Sequence, residues 1–392
     1  MGFLSGSVSF DRFRITADPT DAFGEKHLKA LEKFRAGNKT SNLYETPSVG
    51  FTGGSHLLDT QFDFEKNVIE EAMHFGIRID SCQVPSPIKR AWMKMELVGI
   101  MADREGGRPT KVQREQAKEA VEARCIAEAE KGNYLRMSET PVLWDAATET
   151  IYLGSTSEKT NDACLSLLNR AFGLEFQNVS SGTLASEWSD ATEQTAMLYK
   201  ASPTAFHPDV EASMVWWNGM SENYDYLGNE FLLWLWWQWE TQSDKIELGD
   251  GSLVEGMFAR TLSLDCPQGE HGKESISSLS PVALPEAAMA IRMGKMPRRA
   301  GLTLVRNDLQ FDLTLQCERF SFGSAKITPM GDGTELKERG DRIENVRQLA
   351  ETVDLLFEAF CEKRIGSPWK AELKQLTTWL QKETPTKRQK AA

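Results

Sequence analysis

Apolar residues recur along this chain at two spacings, one near two residues and one near three and a half. Residues 3–15, FLSGSVSFDRFRI, read as a first strand with Phe10, Phe13 and Ile15 apolar. Residues 21–36 carry Phe23, Leu28, Leu31 and Phe34 at helical spacing. HFGIRIDSCQV, ending at Val84, reads as a strand. Pro85 and Pro87 open the next element, since proline presets helical φ in a first turn. IKRAWMKMELVGIMADRE continues it as a helix. A second helix is predicted from Lys111 to Lys131, built of good helix formers, with Gly132 and Asn133 suited to its C-terminal end. PVLWDAATETIYLG predicts a hairpin turning at DAAT. EKTNDACLSLLNRAFG predicts an amphipathic helix with Ala163, Leu167, Leu168 and Phe172 on one side and Gly173 at its close. Residues 309–328 alternate as two strands. From Asp341 to Arg364, the positions Ile343, Val346, Leu349, Val353, Leu356, Phe357 and Phe360 form the apolar face of a long helix.

One element breaks the amphipathic rule. In EFLLWLWWQWE four tryptophans fall within Trp234–Trp239. As a helix, Phe231–Trp239 would span about 14 Å, roughly half the hydrocarbon core of a bilayer. It does not alternate as a barrel strand must. Apolar on every side, it is expected to be a buried core helix of a second domain, with a subunit interface as the alternative.

Charge changes the picture locally more than globally. The chain has 392 residues and a net charge of -12, which favours solubility but leaves open a clustered basic surface. Its six cysteines are scattered, with no C-x-x-C pair, so neither a zinc site nor a redox pair is expected. The N-terminus lacks the basic start and apolar run of a secretory signal, and a cytoplasmic location with reduced thiols is expected. No cofactor is implied. The histidines sit in no recognisable catalytic motif, and GFTGGSH lacks the lysine of a phosphate loop. Carboxylates able to hold Mg²⁺ are plentiful but form no tight signature.

Three basic segments stand out. In IKRAWMKM, Lys89, Arg90 and Lys94 occur without an acid between Asp80 and Glu96. In the following helix Lys111, Arg114 and Lys118 share one stripe, beside Glu115, Glu119 and Glu122. Between Glu286 and Asp308 there is no acid, while Arg292, Lys295, Arg298, Arg299 and Arg306 supply five positive charges. Point charges of this kind neutralise phosphates and give affinity without sequence specificity. Each segment also has a plainer reading. The first two are solvated helix faces, the second laced by Lys111–Glu115 and Lys118–Glu122 pairs. The third is a basic surface loop docked on residues 240–286, which carry nine acids against three bases.

The order of these motifs resembles the bacterial recombination-associated RdgC family. The resemblance rests on Gly53-Gly54-Ser55-His56, on Val84-Pro85-Ser86-Pro87-Ile88-Lys89 and on Thr140–Asp145. It continues in the helix with Ala163, Leu167 and Leu168, and in Ala290-Ile291-Arg292-Met293-Gly294-Lys295 with Arg299. It covers roughly residues 3–180 and 286–360. It implies an α+β fold of antiparallel sheets with packed helices and a projecting helical tip. With it the chain is read as an N-terminal domain (1–95 with 137–180), a tip (96–136) and a C-terminal domain (181–370), while composition marks 371–392 as a basic, disordered tail. It further implies a ring-shaped homodimer around duplex DNA, nucleoid-associated, that restrains a RecA-type recombinase. Tyr134 and Arg136 would make the tip contact between subunits. The family also carries an exonuclease label. A metal-dependent exonuclease, or an interaction protein that does not bind DNA, are the alternatives.

Overall fold

The structure, a computed structural model, describes residues 2–16, 20, 22–37, 43–102, 108–206, 214–216, 223–270, 272–330, 339–366 and 368–381. In chain order its elements begin with β1 (Val8–Ile15), α1 (Glu25–Lys33), β2 (Ser48–Thr52), α2 (Phe64–Asn67), β3 (Val68–Ile69) and β4 (Ala72–Cys82). Next come α3 (Ser86–Met101), α4 (Lys111–Glu130), β5 (Leu135–Asp145), β6 (Thr150–Leu153), α5 (Glu158–Phe172) and β7 (Phe176–Asn178). Then follow α6 (Ser181–Ala191), α7 (Thr195–Leu198), α8 (Tyr226–Thr241), β8 (Lys245–Glu247), β9 (Leu253–Asp265) and β10 (Glu274–Ser278). A 3₁₀ turn at Pro281–Ala283 leads to α9 (Pro285–Arg292), β11 (Met296–Arg306), β12 (Leu309–Gln316), β13 (Ser321–Pro329), α10 (Arg339–Ile365) and α11 (Trp369–Gln381). The class is α+β.

The chain divides into two compact units, one of residues 1–16, 148–156 and 176–392, the other of 17–147 and 157–175. The larger unit thus takes β1 and β6 from the segment assigned by sequence to the N-terminal domain. The cause is pairing: Val8 lies opposite Ala325 of β13, while Asp11–Arg14 pair with β6. Its strands run in the order β10-β9-β11-β12-β13-β1-β6, antiparallel throughout, with β8 on β9 and β7 on β1. The register sets Leu302 against Leu313 and Leu304 against Phe311 on β11 and β12.

The tryptophan element is the expected core helix. Every residue of α8 from Tyr226 to Trp237 is buried. Phe231 meets Phe320, Phe357 and Phe360, which joins α8 to α10 and to the turn before β13. The seven apolar positions predicted for α10 are all buried. The tail expected to be disordered from 371 onward instead continues as α11 to Gln381, because Leu376 and Leu380, four apart, are buried. Residues 382–392, the rest of that predicted tail, lie outside the described residues.

In the smaller unit β4 pairs with β5 over its full length, from Ala72 opposite Asp145 to Cys82 opposite Leu135, and β2 and β3 pair with β4. The rings of Phe51, Trp144 and Phe172 pack between this sheet and α1 and α5. The predicted tip is a helical hairpin, but it starts at Ser86 rather than 96, and Leu135 and Arg136 belong to β5. Trp92, Val121, Cys125 and Ala129 hold α3 against α4, and Cys82 and Val84 tie the pair to the end of β4.

Candidate nucleic-acid interface

Local sequence positions the hairpin's charges. Pro85 and Pro87 set the start of α3, so Arg90 and Lys94, four apart, share one face and are exposed. At the start of α4 the Thr110 hydroxyl accepts from the Gln113 backbone N–H, and the Gln113 side chain accepts from the Thr110 N–H. This capping box anchors the turn bearing Lys111 and Arg114. At the far end Gly132 takes a φ of 78°, the left-handed conformation that suits glycine.

The predicted cations of the hairpin divide into two kinds. Arg90, Lys94, Lys111 and Arg114 are exposed and, among the described residues, lie in no ion pair. Lys118 is exposed and stands 3.9 Å from Glu115, in place of the predicted pairing with Glu122. Glu122 instead accepts a hydrogen bond from the Tyr44 hydroxyl. Lys89 is committed inward: its Nζ donates to Tyr44 Oη at 2.8 Å and lies 4.8 Å from the ring centroid. That hydrogen bond outweighs desolvation and raises the Lys89 pKa.

The two predicted tip contacts stand at the root of the hairpin. Tyr134 is half-buried at a φ of 58° and meets Trp92 edge-on at 6.4 Å. Arg136 is exposed and its guanidinium donates to the Gln83 side chain.

The third segment, in the larger unit, looks different. Arg298, Arg299 and Arg306 are carried on β11, a strand rather than a loop, while Arg292 ends α9 and Lys295 lies just before β11; three of the five are held by carboxylates from residues 240–286. Lys295 is 6% exposed and pairs with Glu274 at 2.6 Å. Arg298 pairs with Asp265 at 3.3 Å and also with Glu318 at 2.6 Å, and it stacks 4.5 Å over Trp216. Partial burial opposes the Arg298 charge, but its contacts with Glu318 and Asp265 together outweigh it and raise the pKa. Arg306 is 4% exposed and pairs with Asp250 and with Glu351, the latter at 2.9 Å. Its Nε also donates to Ser252 Oγ at 2.9 Å. Hydrogen bonds from Ser252, and then the Arg306 guanidinium, pull Asp250 down to about 2. Arg292 is half-buried at the end of α9 and is engaged within the chain. Arg299 is exposed. A buried cation held by carboxylates is costly to redirect toward phosphate.

Sequence reading missed the internal partners, because Tyr44, Trp216 and Glu318 are far from the basic runs they serve. It also passed over Arg108, exposed two residues before the Thr110 cap, where RPTK marked a helix start. Arg124, exposed on α4, lies over the Trp92 ring at 4.5 Å.

Among the described residues no group of three His, Cys, Asp or Glu side chains is placed to hold a metal ion. No described helix is long and apolar enough to cross a membrane. Comparison with models of known families and with curated proteins finds no match.

Proposed function

We propose that this chain binds duplex DNA without sequence preference and restrains a RecA-type recombinase by occupying the DNA, acting as a homodimer. The motif order shared with the RdgC family supports this reading. The observation that carries it is the α3–α4 hairpin, where Arg90, Lys94, Lys111 and Arg114 are exposed and free of ion pairs among the described residues. Such charges suit phosphate contacts, which carry no sequence information. The same hairpin exposes Met95, Val98 and Val112, apolar side chains that favour self-association. Lys295 and Arg306 serve here as structural cations, and Arg299 is the accessible charge of β11.

The test is a titration of fluorescent duplexes of unrelated sequence across salt, with and without Mg²⁺. Binding should be equal across sequences and fall steeply with salt, by about 0.9 log units in affinity per log unit of salt for each phosphate contacted. Lys94→Glu with Lys111→Glu and Arg114→Glu should weaken it at least tenfold and lower the slope by about 3. A chain that fails to bind at low salt overturns the reading; a variant with unchanged binding removes the hairpin from it. The neutralised β11 cations favour a second reading, an interaction protein without DNA affinity, which the first of these failures would select.

A further inference from the structure

A cavity of about 680 Å³ opens beside the tryptophan helix in the larger unit and has no part in the DNA reading. Part of its lining is aromatic: Trp236 and Trp239 from α8, Phe258 from β9 and Trp379 from α11. These rings form a continuous wall, with centroids 6.0 Å apart for Trp236–Phe258, 5.9 Å for Trp236–Trp379 and 5.5 Å for Trp239–Phe258. Gly256 makes the wall possible, since a Cβ there would lie 2.3 Å from a Trp239 ring carbon. Much of the remaining lining is aliphatic, from the segment around Val282, Leu284 and Ile291. Leu279, 90% exposed, also lines the cavity, which therefore opens to solvent.

The charges at this cavity favour a cation. Glu240 and Asp244 line it against one guanidinium, Arg292, which is engaged within the chain. The Glu240 carboxylate accepts from Trp236 Nε1 at 2.8 Å and from Trp379 Nε1 at 3.3 Å. It thereby fixes two rings of the wall and places a negative charge beside them. Indole faces attract cations, most strongly those that shed water easily. An alkylated ammonium is such a cation, while the aliphatic lining suits an apolar body. We propose that this cavity binds a small molecule carrying a quaternary or otherwise alkylated ammonium group on an apolar chain.

The experiment is calorimetric titration of the full chain with (6-hydroxyhexyl)trimethylammonium and with its neutral carbon isostere, 7,7-dimethyloctan-1-ol. The cation should bind saturably and at least tenfold more tightly than the alcohol. Trp379→Leu should weaken it at least fivefold. Asp244→Asn, an exposed change that leaves the apolar lining intact, should weaken it severalfold. Circular dichroism verifies that both variants are folded. Equal affinity for the two probes, no binding of the cation by the unaltered chain, or folded variants that bind it unchanged would each overturn the proposal.

Discussion

Glu230 is fully buried in α8, and both its carboxylate oxygens accept hydrogen bonds. It accepts from the Thr204 backbone at 2.7 Å, from the Thr204 hydroxyl at 3.2 Å and from Arg364 Nε of α10. Arg364 in turn donates to the Ser202 carbonyl at 2.7 Å and lies 5.0 Å over the Trp369 ring. Burial works against the Arg364 charge, but the Glu230 carboxylate outweighs it and raises the pKa. Removing one partner of such a pair leaves an uncompensated buried charge. Glu230→Ala should therefore cost about 3–5 kcal/mol of stability, measured from the urea midpoint. Glu230→Leu with Arg364→Met, which removes both charges, should recover most of that loss. A single variant as stable as the parent would show that water already reaches Arg364. Lys295 and Arg306, buried and held by carboxylates, fall under the same rule: charge reversal at either should lower stability before it reports on any ligand.

The helices show where sequence was sufficient. The seven apolar positions of α10 and the apolar run Phe231–Trp237 of α8 were legible because burial imposes a period, or its absence, on the sequence. The hairpin was legible too, from its prolines, its helix formers and Gly132. The nature of β11 was not. The plainer reading made this segment a loop, yet the strand pairs on both sides and absorbs Pro297 and Gly301 at register shifts after Pro297 and after Ala300. The amphipathic pattern of α11 was masked by the basic residues around it. At the candidate site, sequence placed the exposed charges of the hairpin correctly on one stripe each, but ion pairing depends on side chains distant in sequence. The start of α4 permits a test at this scale. Thr110→Ala removes the cap and should cost about 1 kcal/mol, speeding hydrogen exchange in the first turn of α4 roughly fivefold. Because fraying is local, the unfolding midpoint should hardly move. Unchanged exchange would mean that tertiary packing, rather than the capping box, holds the turn bearing Lys111 and Arg114.

At the scale of the whole chain, a net charge of -12 opposes any polyanion, so DNA affinity depends on where charge is concentrated. Surface charges act over roughly 8 Å at physiological salt, so acids elsewhere on the chain are screened, while the hairpin's own Glu96, Glu115, Glu119 and Glu122 compete with its exposed cations. A single hairpin offers few contacts, and two linked copies turn the second engagement into an intramolecular event. Self-association thus carries much of the proposed function, and the surface for it is testable. Val98 is 71% exposed and Val112 67% exposed, one on each helix of the hairpin and away from the Trp92–Val121 contact. Covering such side chains in an interface would remove apolar surface from water. Sedimentation equilibrium at micromolar concentration should give twice the chain mass, and Val98→Asp with Val112→Asp should give the single mass. Both changes are at exposed positions, so the thermal midpoint of the isolated fold should stay within a few degrees of the parent. The monomeric variant keeps every cation of the hairpin, yet should bind long duplexes at least tenfold more weakly. A variant that remains dimeric would move the subunit contact elsewhere. A monomer with undiminished affinity would show that the hairpin's charges act alone.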